Sequence, residues 1–203
     1  MAYSDFTLSG LTKQFSLTRD ENTSLFANVS PVVLDPAFLA RLNEDVDLAL
    51  KVSTEKARSE FIIAPILAEL RRMLHRRIGL FSGVDFSVDP ARGLAGVCDY
   101  IVTRSPEQLF IEVPVLMLVE AKNEDMKRGY AQCIAEMLAA QTFNEREGTP
   151  AGAIFGVVTT GNLWRFLRLQ ETHVHIDSRE YHIDDVAQIM GILLHLARRP
   201  DDV

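Results

Sequence analysis

Five apolar residues, Val115-Leu116-Met117-Leu118-Val119, run without a break into Glu120-Ala121-Lys122. An apolar run of strand length reads as a strand covered on both faces, and so as a central strand of an α/β sheet. Side chains alternate along a strand, which puts Glu120 and Lys122 on the same face. A carboxylate and an ammonium at the end of such a strand are costly to bury unless they pair with each other or bind something.

The flanking sequence supplies the other layers. Residues 54–76 predict a long helix capped at Ser53 or Thr54, with Glu55 complementing the helix dipole. Ile63, Leu67, Leu70 and Leu74 form its apolar stripe, Pro65 sets a kink or local irregularity, and Glu69 faces solvent. Residues 84–88 and 97–103 read as a hairpin of two strands. A second long helix is expected from residue 126 to about 145, capped by Asp125. Strands follow at 153–159, 163–169 and 174–176, the first two joined at Thr160-Gly161-Asn162. An amphipathic helix over 183–199 ends at Arg198-Arg199-Pro200. Ahead of all this, residues 1–35 read as short strands and turns, and 36–48 as a short helix. The order predicts an α/β fold, a three-layer α/β/α sandwich around a mixed sheet. It divides into an N-terminal strand/helix extension (1–50) and the main domain (51–203). No glycine-rich phosphate loop is present.

Composition narrows the class of partner. The 203-residue chain carries a net charge of −7, which argues against a broad electrostatic nucleic-acid binder. It leaves room for an enzyme whose positive field comes from a local patch or a metal ion. No apolar run reaches membrane-spanning length, and the first residues lack the features of a secretory signal. Cys98 and Cys133 read as buried thiols. A cytoplasmic setting and no membrane partner are expected.

Three further groups join Glu120 and Lys122. Asp99 interrupts an apolar strand and precedes Glu120 by 21 positions (120 − 99), enough for two adjacent antiparallel strands. Glu60 lies near the start of the first long helix. Gln132 lies in the helix that follows the Glu-x-Lys strand, in a stripe with Gly129, Cys133 and Glu136. That stripe reads either as a solvated polar face or as a face turned to Lys122. The set suits metal-dependent hydrolysis of a phosphodiester. Mg²⁺ takes oxygen ligands, here Asp99, Glu120, the Ala121 carbonyl and Glu60. Lys122 would hold or deprotonate the attacking water and offset transition-state charge, and Gln132 would bind Lys122 or a substrate phosphate.

These residues resemble the PD-(D/E)XK nuclease superfamily, with its restriction-endonuclease-like fold. The resemblance spans about residues 55–170. It is nearest to the N-terminal nuclease domains of type I restriction subunits and related uncharacterised bacterial proteins. It rests on Asp99-Tyr100, Glu120-Ala121-Lys122-Asn123, the Gln132 helix and the Thr160-Gly161-Asn162 hairpin. Cys98 stands where the superfamily usually has a proline. The resemblance implies Mg²⁺- or Mn²⁺-dependent cleavage of nucleic acid, DNA ahead of RNA, with Asp99, Glu120, Lys122 and Gln132 as catalytic residues. It also implies a homodimer, for which the N-terminal extension and the last helix are the candidate interfaces. The alternatives are a catalytically silent module of the same fold that binds nucleic acid or a protein partner, and a small-molecule hydrolase or binder. His173 and His175 read as an exposed edge strand, Trp164 and Phe166 as core, and the Arg71-Arg72 and Arg76-Arg77 pairs as a solvated helix end.

Overall fold

The apolar run becomes the middle of a sheet. A computed structural model describes residues 2–122, 126–150 and 152–198. Its strands are β1 (Thr18–Asp20), β2 (Gly79–Asp85), β3 (Val97–Thr103), β4 (Val115–Ala121), β5 (Ile154–Thr159), β6 (Leu163–Gln170), β7 (His173–Ile176) and β8 (Tyr181–His182). They form one mixed eight-stranded open sheet in the order β1-β7-β6-β5-β4-β3-β2, with β8 pairing on β6. Strand β4 is buried along its whole length, parallel to β5 on one side and antiparallel to β3 on the other.

Helices line both faces. They are α1 (Leu8–Phe15), α2 (Pro36–Val52), α3 (Glu55–Arg58), α4 (Ala64–Met73), α5 (Met126–Arg146) and α6 (Val186–Ala197). Leu118 of β4 packs into a core shared with α1 and α5, and its neighbour Val119 into a core shared with α2, α4 and α6. The fold is therefore α/β with a mixed sheet, as the strand and helix pattern predicts.

A π-helical segment, Ser59–Ile63, joins α3 to α4. It lies just before Pro65, whose missing N–H and ring clash disfavour ordinary α-helical bonding one turn earlier. The expected irregularity is present, and Thr54 caps α3 by accepting from the Ala57 N–H at 3.1 Å. The helix turns Glu69 inward, against expectation. Glu69 is buried and ion-paired with Arg72 one turn on. The arginine sits at i+3 and covers the acid from the solvent side.

The N-terminal segment departs further. Residues 8–15 are helical, capped by Thr7, which accepts from the Gly10 N–H at 3.1 Å. Only Thr18–Asp20 is strand, and it adds to β7 in parallel, so the pair His173 and His175 lies on an interior strand. Tyr3, Phe6, Leu11, Phe15 and Leu17 bury themselves in the α5-side core. The alternation of Phe6, Leu8 and Leu11 with polar residues is compatible with either period over so short a run. The last helix begins at Val186, after a 3₁₀ turn at Ile183–Asp185, and nine of its residues are buried. Its apolar face completes the core, as do the first residues of the chain. The cap assigned to Asp125 and the stop at Arg199-Pro200 lie outside the described residues.

Gly156 in β5 lies where α5 packs tightly on the sheet. A Cβ there would lie 2.6 Å from Met137 Sδ and 2.7 Å from Cys133 Sγ. Gly156→Ala should destabilise the protein by about 1–3 kcal/mol, the usual cost of overpacking. Urea unfolding of the two proteins measures it, and an unchanged midpoint would show that α5 yields freely at this point.

Candidate functional site

Strands β3 and β4 bring the two acids together. Tyr100 pairs with Val119 and Ile101 with Leu118; continuing that register sets Asp99 opposite Glu120. Asp99 is half-buried and pinned, because its Oδ2 accepts from the Ala121 N–H at 2.8 Å. Burial, only partly offset by that hydrogen bond and by Lys122, raises its pKa from the ordinary aspartate value.

Glu120 is completely buried and ion-paired with Lys122, the partner on its own face. Burial, reinforced by the charge on Asp99, pushes its pKa up to about 7 against the pull of the ammonium. Lys122 lies at the edge, its side chain 17% exposed. Desolvation works to lower its pKa, but the Glu120 carboxylate outweighs this and the net shift is upward. The lysine is thus held as a cation.

Helix α5 closes the arrangement. A Cβ on Gly129 would lie 2.6 Å from Val158 Cγ1 and 3.0 Å from Lys122 Cγ, so the bare glycine lets the helix rest on the lysine stem. One turn later Gln132 accepts from Lys122 Nζ at 3.2 Å and donates from Nε2 to Glu136 Oε1, also at 3.2 Å. Cys133 and Glu136 are fully buried. The stripe of Gly129, Gln132, Cys133 and Glu136 is therefore turned to the sheet and is not a solvated face.

Glu136 forms a second buried acid beside Glu120. Desolvation, and then the Glu120 charge, raise its pKa well above the usual range. The charge on each of these two acids bears on the titration of the other. Apart from the Lys122 ammonium on Glu120, neither Glu120 oxygen nor Glu136 Oε2 has a hydrogen-bond partner among the described residues.

Glu60 is placed differently from the other acids. Its side chain is 56% exposed and lies 3.6 Å from Lys56 Nζ on the same helix. Its charge is felt at the Tyr100 hydroxyl. The helix acid whose charge reaches both Asp99 and Lys122 is Glu55. Sequence reasoning used Glu55 only as a dipole partner and Glu136 only as a member of a polar stripe. The spacing of Gln132 and Glu136 at i, i+4 carried a signal, since those positions meet on a helix. No sequence signal fixes which acid of the first helix faces the sheet, because the π segment shifts the phase.

The donor set suits a small hard cation in part. Among the described residues no group of three or more His, Cys, Asp or Glu side chains is placed to hold a metal ion. Mg²⁺ commonly takes only one or two carboxylates and completes its shell with water and substrate oxygens. Asp99 and Glu120 provide two, and the Glu120 oxygen not held by Lys122 is a donor such an ion would satisfy. Cys98 and Cys133 are buried free thiols, as expected, and lie at the back of the same cluster.

Comparison with family models, curated proteins and solved structures gave no match to this chain. No helix among the described residues is long and apolar enough to cross a membrane.

Proposed function

We propose that the protein is a metal-dependent phosphodiester hydrolase acting on nucleic acid, DNA ahead of RNA, with a restriction-endonuclease-like fold. The observation that carries this reading is the opposition of Asp99 and Glu120 across β3 and β4, with Lys122 on Glu120 and Gln132 on Lys122. Asp99 and Glu120 would hold Mg²⁺ or Mn²⁺, with the Ala121 carbonyl beside them. A cation bound there supplies Lewis acidity toward the phosphate and a water of lowered pKa. Lys122, kept protonated by Glu120, acts as a fixed positive charge toward the developing phosphorane and as a donor to the attacking water, rather than as its base. Asp99 is held in place by the Ala121 N–H, so its free oxygen faces the site with little freedom.

A cleavage panel tests this: single- and double-stranded DNA and RNA, each with Mg²⁺, Mn²⁺ and EDTA. Divalent-dependent cutting of at least one substrate is expected. Glu60→Ala should leave the rate within about threefold, the scale of an exposed ion pair. A loss of more than tenfold would restore Glu60 to the ligand set.

One observation favours a second reading, a silent module of this fold. Glu120 is fully covered and already neutralised by Lys122. In that case Mn²⁺ binds and none of the panel is cut.

A further inference from the structure

We propose that Glu136 is a positioning residue for Lys122 and that it acts through the amide of Gln132. The proposal rests on the reading of Lys122 as the working cation of the site. The geometry is a relay. Gln132 gives its NH₂ to Glu136 Oε1 at 3.2 Å, and its carbonyl oxygen takes the Lys122 ammonium at 3.2 Å. An amide has one donor end and one acceptor end. The acceptor on Glu136 selects which end faces the lysine. Without it the amide is free to turn its NH₂ toward the ammonium, where donor meets donor.

The setting of Glu136 shows that it is not there to fill space. It is fully buried, and its buried neighbours Cys133, Met137 and Ala140 on the same helix are apolar. Its second oxygen, Oε2, has no hydrogen-bond partner among the described residues. A hydrocarbon of the same volume would satisfy the packing without that cost, since replacing buried ionisable groups by apolar ones is often neutral or stabilising. What an apolar residue cannot do is orient Gln132. The two residues stand one helical turn apart, and Gly129, one turn earlier, seats the lysine stem on the same stripe.

Reductive methylation of the full chain, read by peptide mass spectrometry, tests the relay without requiring cleavage. Lys51 and Lys56, with side chains 73% and 81% exposed, serve as internal references. Glu136→Leu should raise the labelling rate of Lys122 about fivefold against them, the loss of roughly one hydrogen bond. Glu136→Gln keeps a carbonyl acceptor and should stay within about twofold of the parent. Gln132→Ala should match Glu136→Leu, and the double variant should label no faster than either, because the two residues act as one unit. If Glu136→Leu folds poorly, Glu136→Met removes the acceptor with a side chain that adapts to the space. On a cleaved substrate Glu136→Leu and Gln132→Ala should lower kcat and leave KM unchanged, and Glu136→Gln should keep the parent values. Unchanged Lys122 labelling, full additivity with Gln132→Ala, or failure of Glu136→Gln to restore the parent rate would each overturn the proposal. A protein that cuts nothing yet shows the expected labelling keeps the relay and loses the hydrolase reading.

Discussion

Lys122→Ala should lower Mg²⁺-dependent cleavage by about 100- to 1000-fold while the protein stays folded, the scale of removing a preorganised group that stabilises transition-state charge. Both halves follow from the surroundings of the lysine. Its ammonium lies between Glu120 and Gln132 at the open end of β4, so the charge cannot be replaced by a neighbour that already faces the same way. Its stem rests against Gly129, and truncation opens a small space at the rim of the core rather than inside it. The fold survives because Glu120 has an outlet. Once the ammonium is gone, the buried acid takes up a proton instead of remaining an unpaired charge. Near-ultraviolet circular dichroism should therefore match the parent. The rate is read on whichever substrate the parent cuts best. Cleavage that persists in Lys122→Ala would remove the site from the mechanism. Loss of the dichroism signal would show that the pair is structural. Lys122→Met, which keeps the stem, separates lost charge from lost packing.

The centre of this site was legible because its residues sit in strands. A run of five apolar residues can be buried on both faces in only a few ways, and the period of two then fixes Glu120 and Lys122 side by side. Two apolar strands separated by a loop of suitable length predicted antiparallel neighbours, which β3 and β4 are, and their register extended by one pair sets Asp99 opposite Glu120. Helix phase was less legible. A π segment at Ser59–Ile63 adds a fraction of a turn that composition does not announce, and it changes which acids of that helix face inward. Glu69 went inward against expectation because Arg72 could cover it, a contact that depends on the fold around it. Glu136 was hidden for a different reason. A glutamate in a polar stripe reads as solvated unless the depth of the helix is known, and that depth is set by two glycines, Gly129 and Gly156, on different elements. At the start of the chain, a run too short to show a period read as strand, and packing of Tyr3, Phe6 and Leu11 against α5 goes with a helix there instead.

Without metal, the protein should become less stable as pH rises from about 4.5 to about 7, and Glu120→Gln should remove much of that slope. The sign follows from where the proton is held more tightly. Glu120 has a pKa of 4.5 when unfolded and about 7 when folded. Below pH 4.5 both states are protonated and the full stability is present. Between the two values the folded state keeps a proton that the unfolded state gives up, so stability falls, and above pH 7 the loss is complete. The size is roughly 3 kcal/mol for a shift of this extent. Asp99 and Glu136 are raised as well and push in the same direction. Lys122, also raised, acts only above the ordinary lysine range, outside this window. Urea midpoints measured in EDTA at half-unit steps from pH 4 to pH 8 check this for the parent and for Glu120→Gln. A parent midpoint that climbs through this range, or a variant with the same slope, would mean that Glu120 is not held as a reluctant carboxylate. Adding Mg²⁺ should act against the slope. A cation favours the ionised carboxylates, so the stability it adds should grow with pH across the same window. A Mg²⁺ increment that is independent of pH would place the ion away from Asp99 and Glu120. An increment that rises with pH in the parent and flattens in Glu120→Gln would assign the ion to the end of the apolar strand.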